Sequence, residues 1–223
     1  MNHLESNLRK EGIRALILDY GEVLCRRPTP DKLDRMARIA GLDIETFTAR
    51  YHHERGPYDR SDLSPAEYWK RVVAAPTGPD GDMLAALRQL DVEMWSDIDP
   101  DMTQWLADAR TAGLKTALLS NMHADMASHA RRSFDWLQAL DCVVLSCEIR
   151  LIKPEREIYD RCLEILKLQS DEVCFVDDRI ANVEGARKAG WAALRFQTVE
   201  QLRNDLRDLG FPVLPPAVVD SRE

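Results

Sequence analysis

At 223 residues, with 45% hydrophobic and 30% charged residues, the chain can bury a full core as one large or two smaller domains. Its net charge of −8 argues against a broad nucleic-acid footprint, though not against a phosphate ester, which needs only a local positive site. No run is long and apolar enough to span a bilayer, and Met1-Asn2-His3-Leu4-Glu5-Ser6 lacks the apolar core of a signal peptide.

Residues 1–12 read as a polar lead-in. Ile13–Leu18 is a short apolar run of the kind that forms a strand buried on both faces, and Asp19 stands at its carboxyl end. A proline-rich crossing, Arg26-Arg27-Pro28-Thr29-Pro30, follows. Leu33, Met36, Ala37 and Ala40 then repeat at helical spacing up to Gly41. A second helix is expected from Asp43 to about Glu54, with Gly56-Pro57 as its break. Ser64-Pro65-Ala66-Glu67 has the residues of a helix start: a serine cap, a proline in the first position and a glutamate three after the cap. Pro76 to Gly81 reads as turn and Asp82–Leu90 as helix. Residues 30–94 thus form a helical insertion without a strand.

Strands and helices then alternate, which implies a parallel sheet. A helix capped by Asp99-Pro100 ends at Gly113, before the strand Leu114–Leu119 and Ser120-Asn121. A helical region over Ala124–Leu140 leads to the strand Cys142–Leu145. Lys153-Pro154 opens a helix carrying Ile158, Cys162, Ile165 and Leu166 on one face. The strand Val173–Val176 ends in Asp177-Asp178. A helix over Ala181–Ala189, a strand over Trp191–Phe196 and a helix over Thr198–Leu209 complete the order. The five cysteines form no Cys-x-x-Cys pair, and several lie in apolar periodic segments, so a reducing cytoplasm is expected.

In an open α/β sheet, ligands bind at the carboxyl ends of the strands. That edge would gather Asp19, Ser120, Asn121, Asp177 and Asp178, with Lys153 at the head of a helix. These residue types suit phosphoryl transfer. One carboxylate serves as nucleophile, others hold Mg²⁺ through hard oxygen ligands, and a lysine with a hydroxyl-bearing turn cradles the phosphate. Taken singly, each has a plainer reading: a solvated Asp pair, a surface lysine, a serine helix cap. An adjacent carboxylate pair at a buried strand end does need a partner, and a metal is the best one.

Four stretches together resemble the haloacid dehalogenase-like hydrolases. Leu16-Ile17-Leu18-Asp19 looks like the first motif, with the nucleophile, and Leu118-Leu119-Ser120-Asn121 like the second. Ile152-Lys153-Pro154-Glu155 resembles the third, with Glu155 where Asp is commoner. Cys174-Phe175-Val176-Asp177-Asp178-Arg179, followed by Asn182, Glu184, Gly185, Ala186 and Gly190, resembles the fourth. The resemblance implies a doubly wound parallel α/β core, residues 1–24 and 95–223, with a small helical cap at 25–94. It implies Mg²⁺-dependent hydrolysis of a small phosphate monoester: Asp19 is the nucleophile, and Asp19, the Gly21 carbonyl, Asp177 and Asp178 hold the metal. Ser120, Asn121 and Lys153 hold the phosphate, and Lys153 also balances the charge of Asp19. The expected partner is a small phosphorylated metabolite, on a monomer or homodimer. Rival readings are a metal-independent dehalogenase and a non-catalytic phosphate-binding module.

One position departs from the family pattern. Most phosphatases of this kind carry a general acid two residues after the nucleophile, where this chain has Gly21. Asp-x-Gly resembles a subgroup that includes sugar-1-phosphate phosphatases and relatives of the epoxide hydrolase N-terminal domain. The substrate expected from it is a sugar phosphate such as a sugar-1-phosphate. His52, His53 and Glu22 are the candidates to supply the missing proton, each against the plainer reading of a solvated side chain. Arg26 and Arg27 either touch substrate or face water. Trp69, Trp95, Trp105, Trp136 and Trp191 read as packing, and His123 and His129 show no ligand spacing.

Overall fold

The computed structural model describes residues 12–217. The expected lead-in over 1–12 therefore lies outside the described residues except for Gly12. Five strands, β1 (Ala15–Leu18), β2 (Lys115–Ser120), β3 (Cys142–Leu145), β4 (Val173–Asp177) and β5 (Ala192–Arg195), form one sheet in the order β3-β2-β1-β4-β5. Every pairing is parallel. Side-chain alternation along β1 sends Leu16 and Leu18 into one apolar layer and Ala15 and Ile17 into the other. This is why the strand has no polar position before Asp19. The chain runs from β1 outward to β2 and β3, then returns to β4 and β5 on the other side. A crevice therefore opens at the carboxyl ends of β1 and β4, where the strand order reverses.

Helices cover both faces of the sheet. On one side Met102 and Trp105 of α6 (Pro100–Thr111), Met126 and Ala130 of α7 (Ala124–Ser133) and Leu202 and Leu206 of α11 (Val199–Asp208) join the Leu16–Leu18 layer. On the other, α9 (Arg156–Leu166) contributes Ile158 and Cys162, and α10 (Ile180–Lys188) contributes Val183 and Ala186.

The helical insertion contains α1 (Pro30–Ala40), α2 (Ile44–His53), α3 (Arg55–Asp59), α4 (Pro65–Val73) and α5 (Gly81–Met94). It buries a core of its own around Met36, Phe47, Tyr68, Trp69 and Leu87. Local chemistry sets its boundaries. Gly41 takes a left-handed conformation after α1, Asp43 caps α2 by accepting from the Thr46 N–H, and Ser64 with Glu67 forms a reciprocal capping box at α4. The insertion sits on the carboxyl edge of the sheet. Ser146 Oγ donates to the Asp59 carbonyl at 2.6 Å, and Arg88 forks onto Asp125 at 2.7 and 2.6 Å.

Three local expectations are corrected, and one short helix was not foreseen. Gly56-Pro57 lies inside α3 rather than in a break, because proline in a first turn has no hydrogen bond to lose. The helix expected to Leu140 stops at Ser133. Phe134 is extended there, and Asp135–Ala139 continues as a 3₁₀ turn. Lys153-Pro154 does not itself open α9, which starts at Arg156 with Glu155 as its cap residue. The four-residue helix α8 (Ser146–Ile149) is too short for any periodicity to announce.

Candidate active site

The ends of β1, β2 and β4 and the loop before α9 bring Asp19, Ser120, Asp177 and Lys153 together, all buried. Lys153 Nζ lies 2.8 Å from Asp19 Oδ1 and 2.6 Å from Asp177 Oδ2, and donates to the Leu119 carbonyl at 2.8 Å. Its three donor positions are thereby filled. Two features hold its loop. Asn121 accepts from the Lys153 N–H at 2.9 Å and donates to the Lys153 carbonyl at 3.0 Å. At Gly185 of α10, a Cβ would lie 2.8 Å from Pro154 Cβ and 2.9 Å from the Tyr159 hydroxyl, so glycine permits the close approach of α10 to this loop.

Asn121 has a second role besides the one expected for it. Its side-chain amide clasps the Lys153 backbone and positions that residue, and its main-chain N–H stands at the end of β2. Ser120 makes no side-chain hydrogen bond among the described residues and lines the cavity above Asp19.

The carboxylates differ in their partners. Asp177 is fully buried, and its two oxygens accept from the Arg179 N–H, the Asn182 amide and Lys153. Asp19 Oδ1 accepts from the Tyr20 N–H at 2.7 Å as well as from Lys153, while no donor reaches Oδ2 among the described residues. The Asp178 carboxylate has no hydrogen-bond or ion-pair partner among them, although its carbonyl accepts from Arg195 Nε at 3.2 Å. Burial pushes the Asp19 carboxyl up to about 7, against the pull of Lys153. Burial and the neighbouring Asp177 and Glu22 raise Asp178 to about 6. Burial also works against the Lys153 ammonium, but Asp177 and Asp19 outweigh it and hold its pKa above the ordinary value.

Oxygens of Asp19, Asp177 and Asp178 lie within 4.8 Å of one another. Three carboxylates thus face one lysine on a buried edge. The set fits a hard divalent cation: a carboxylate oxygen without a donor on Asp19, an unpartnered carboxylate on Asp178, and at Gly21 a carbonyl that accepts no hydrogen bond among the described residues.

Above Asp19 a cavity of about 380 Å³ runs up to the helical insertion. Its walls include Gly21, His52, Arg55, Asp59, Trp95 and Arg179. Trp95, read from the sequence as packing, is in part a cavity wall, and its Nε1 donates to the Tyr51 hydroxyl at 3.2 Å. Of the three candidate proton donors, His52 and Glu22 line the cavity. His53 does not. Its side chain is 83% exposed and bonds Glu54. Arg26 and Arg27 pair with Asp97, Asp99 and Glu22 and form no part of the cavity.

The sequence reading missed a second buried charge cluster. Arg55 meets Asp91 Oδ2 at 3.0 Å and Asp59 Oδ1 at 2.9 Å, and its guanidinium lies over the rings of Tyr51, Tyr58 and Tyr68. The Tyr51 hydroxyl donates to Asp91 at 2.6 Å. His123, from the loop after β2, stacks on Tyr58 with Nε2 3.3 Å from Asp91. Burial drives the His123 imidazole down to about 4, so it is neutral near pH 7. Aspartate inside the apolar run of α5 was the one available signal for this cluster.

The chain is similar to known proteins to different degrees. The chain is 33% identical over 207 residues to phosphatase MT3486 of Mycobacterium tuberculosis, covering 89% of this chain and 95% of that protein. It is 30% identical over 102 residues to (S)-2-haloacid dehalogenase 1 of Pseudomonas sp. (strain CBS-3), covering 46% of this chain and 45% of that one. The chain thus spans less than half the length of the dehalogenase. A magnesium complex of a HAD family enzyme from Bacteroides thetaiotaomicron superposes with a TM-score of 0.72 at 20% identity, over 88% of this chain and 100% of that one, a likeness of fold. A family model described as haloacid dehalogenase-like hydrolase matches residues 11–190. That span takes in β1 through α10, with Asp19, Lys153 and Asp177 in one buried hydrogen-bonded set, and the chain belongs to the haloacid dehalogenase-like hydrolases.

Proposed function

We propose that the protein hydrolyses a small phosphate monoester with Mg²⁺ bound at the carboxyl edge of the sheet, through a phosphoryl group carried by Asp19. The observation that carries this reading is the unpartnered Asp178 beside a lysine already shared by Asp19 and Asp177. A metal-free dehalogenase would leave that acidic surplus facing a carboxylate substrate, which two like charges disfavour. The matching phosphatase from Mycobacterium supports the same choice.

A carboxylate oxygen of Asp19 attacks phosphorus while Lys153, 2.8 Å from Oδ1, holds the carboxylate in place. Lys153 favours the ionised nucleophile against its burial and fixes its direction. Ser120 Oγ and the Asn121 N–H receive phosphate oxygens. Asp19, Asp178 and the Gly21 carbonyl would hold the metal directly. Asp177, whose oxygens are already engaged, acts through Lys153 and through water. Bound Mg²⁺ supplies positive charge where the phosphate oxygens gain negative charge.

Residues 25–94 act as a cap on the core of residues 1–24 and 95–223, and their helices enclose the leaving group. Because Gly21 supplies no acid, the first step suits leaving groups that depart unaided. A sugar-1-phosphate is such a substrate. The cysteines are free, in keeping with a reducing cytoplasm. The test is phosphate release from an aryl phosphate by the purified protein. It should require Mg²⁺, stop with chelator and vanish in Asp19→Asn. Release that persists in metal-free protein would overturn the metal-dependent reading.

A further inference from the structure

Hydrolysis of a phosphorylated Asp19 needs a base for the attacking water, and Gly21 has no side chain to provide one. Apart from Asp19 and Asp178, the carboxylates and imidazoles that line the cavity are Glu22, His52, Asp59 and His123. Three of them are committed. Glu22 is held by Arg27 at 2.7 Å, and Asp59 by Arg55 at 2.9 Å. The His123 ring is buried between Tyr58 and Asp91. His52 alone has no hydrogen-bond or ion-pair partner among the described residues. It stands in the last turn of α2 at the rim of the cavity that also holds Asp19 and Gly21, with its ring edge-on to Tyr51 at 5.2 Å.

Building on the proposed function, we infer that His52 is the general base for the second step, the hydrolysis of phospho-Asp19. The water oxygen forms a bond to phosphorus as the bond from phosphorus to the Asp19 oxygen breaks. The electron pair of that bond returns to the Asp19 carboxylate. The water proton passes to a ring nitrogen of His52, and from the rim it is lost to solvent once phosphate leaves.

The charges around His52 fit a base rather than an acid. Partial burial, then Arg55 from α3 and Arg179 from the loop after β4, hold its pKa below the ordinary value, against the pull of Glu22. The imidazole is thus better placed to accept a proton than to give one. This assigns the cap to dephosphorylation and leaves the first step without help, which is why the substrate must bring its own good leaving group.

The test is rapid-mixing kinetics with Mg²⁺ and an aryl phosphate of an acidic phenol, on wild type and His52→Gln. The variant should release one equivalent of phenol at a rate within about 3-fold of wild type, then turn over at least ~10²-fold more slowly while phospho-enzyme accumulates. Added imidazole should restore turnover in His52→Ala, which a purely structural role would not allow, and His53→Gln should match wild type. A slowed burst with unchanged dephosphorylation, or no change in either, overturns the assignment and leaves the proposed function standing. Phosphate release by wild type without any phospho-enzyme overturns both.

Discussion

The Lys153 ammonium lies 2.8 Å from Asp19 Oδ1, with both side chains buried. Its other carboxylate contact, to Asp177, makes it the shared counter-ion of two buried carboxylates. Removing one member of a buried ion set costs far more than the set contributes, because a charge is left without a partner. Lys153→Met should therefore lower stability by about 3–5 kcal/mol in metal-free buffer and abolish turnover. Denaturant unfolding measures the first and phosphate release the second. A variant as stable as wild type would mean that Asp19 and Asp177 do not depend on this lysine.

Asp178 and Asp177 should part company when each is replaced by asparagine. Asp177 is bound by Lys153, Asn182 and the Arg179 N–H, so Asp177→Asn should destabilise the fold. Asp178 has no such partners, so Asp178→Asn should keep the fold. It should weaken Mg²⁺ binding by on the order of 10²-fold, the upper end of what loss of an outer-shell partner costs. Titration calorimetry with Mg²⁺ alone reads this directly. Equal Mg²⁺ affinity in Asp178→Asn would remove it from the ligand set.

The missing acid at Gly21 can be put back. Gly21 is not in a left-handed conformation, and a Cβ there would meet only Trp95 Cζ3, at 3.5 Å, an ordinary contact. Gly21→Asp should therefore fold. It should speed single-turnover cleavage of phosphates with poor leaving groups, by up to the roughly 10²- to 10⁴-fold of a positioned general acid, with little gain for acidic phenols. Wild-type rates should fall steeply as the leaving group becomes less acidic. A flat dependence in wild type would mean that an acid is already in place.

The buried His123 gives a pH-dependent signature of the Arg55–Asp91 cluster. Its ordinary pKa is 6.5, and burial lowers it to about 4 in the folded protein, with Arg55 and Arg88 adding to burial and Asp91 and Asp125 opposing it. Between these values the unfolded chain binds the proton and the folded chain does not. Stability therefore rises with pH through this window and is lost on acidification. In His123→Phe, which keeps a ring against Tyr58, that contribution should vanish. The stability difference between variant and wild type should shift in the variant's favour from pH 6.5 to 4, as read by denaturant unfolding at each pH. A pH-independent difference would place a partner proton on His123.

The active-site edge was legible because its residues end strands. Asp19, Ser120 and Asp177-Asp178 each close an apolar run, and parallel strands bring such ends together. Lys153 was legible by its place before Pro154, although its hold on two carboxylates was not. The fine wiring escaped because it depends on pairings between distant segments. Asn121 reads as a polar turn residue, yet its amide clasps the Lys153 backbone. Asp91 sits in an apolar helix with no local sign of Arg55, Tyr51 and His123 from three other segments. Neighbours His52 and His53 look alike in sequence, and only packing turns one to the cavity and the other to Glu54.

The most direct test of the proposed chemistry is the site of phosphorylation during turnover. Protein quenched in acid while hydrolysing an aryl phosphate with Mg²⁺ should carry one phosphoryl group, on the peptide containing Asp19, and none when chelator is present from the start. Steady phosphate release with no modified peptide, or with the phosphoryl group on another residue, would contradict nucleophilic attack by Asp19.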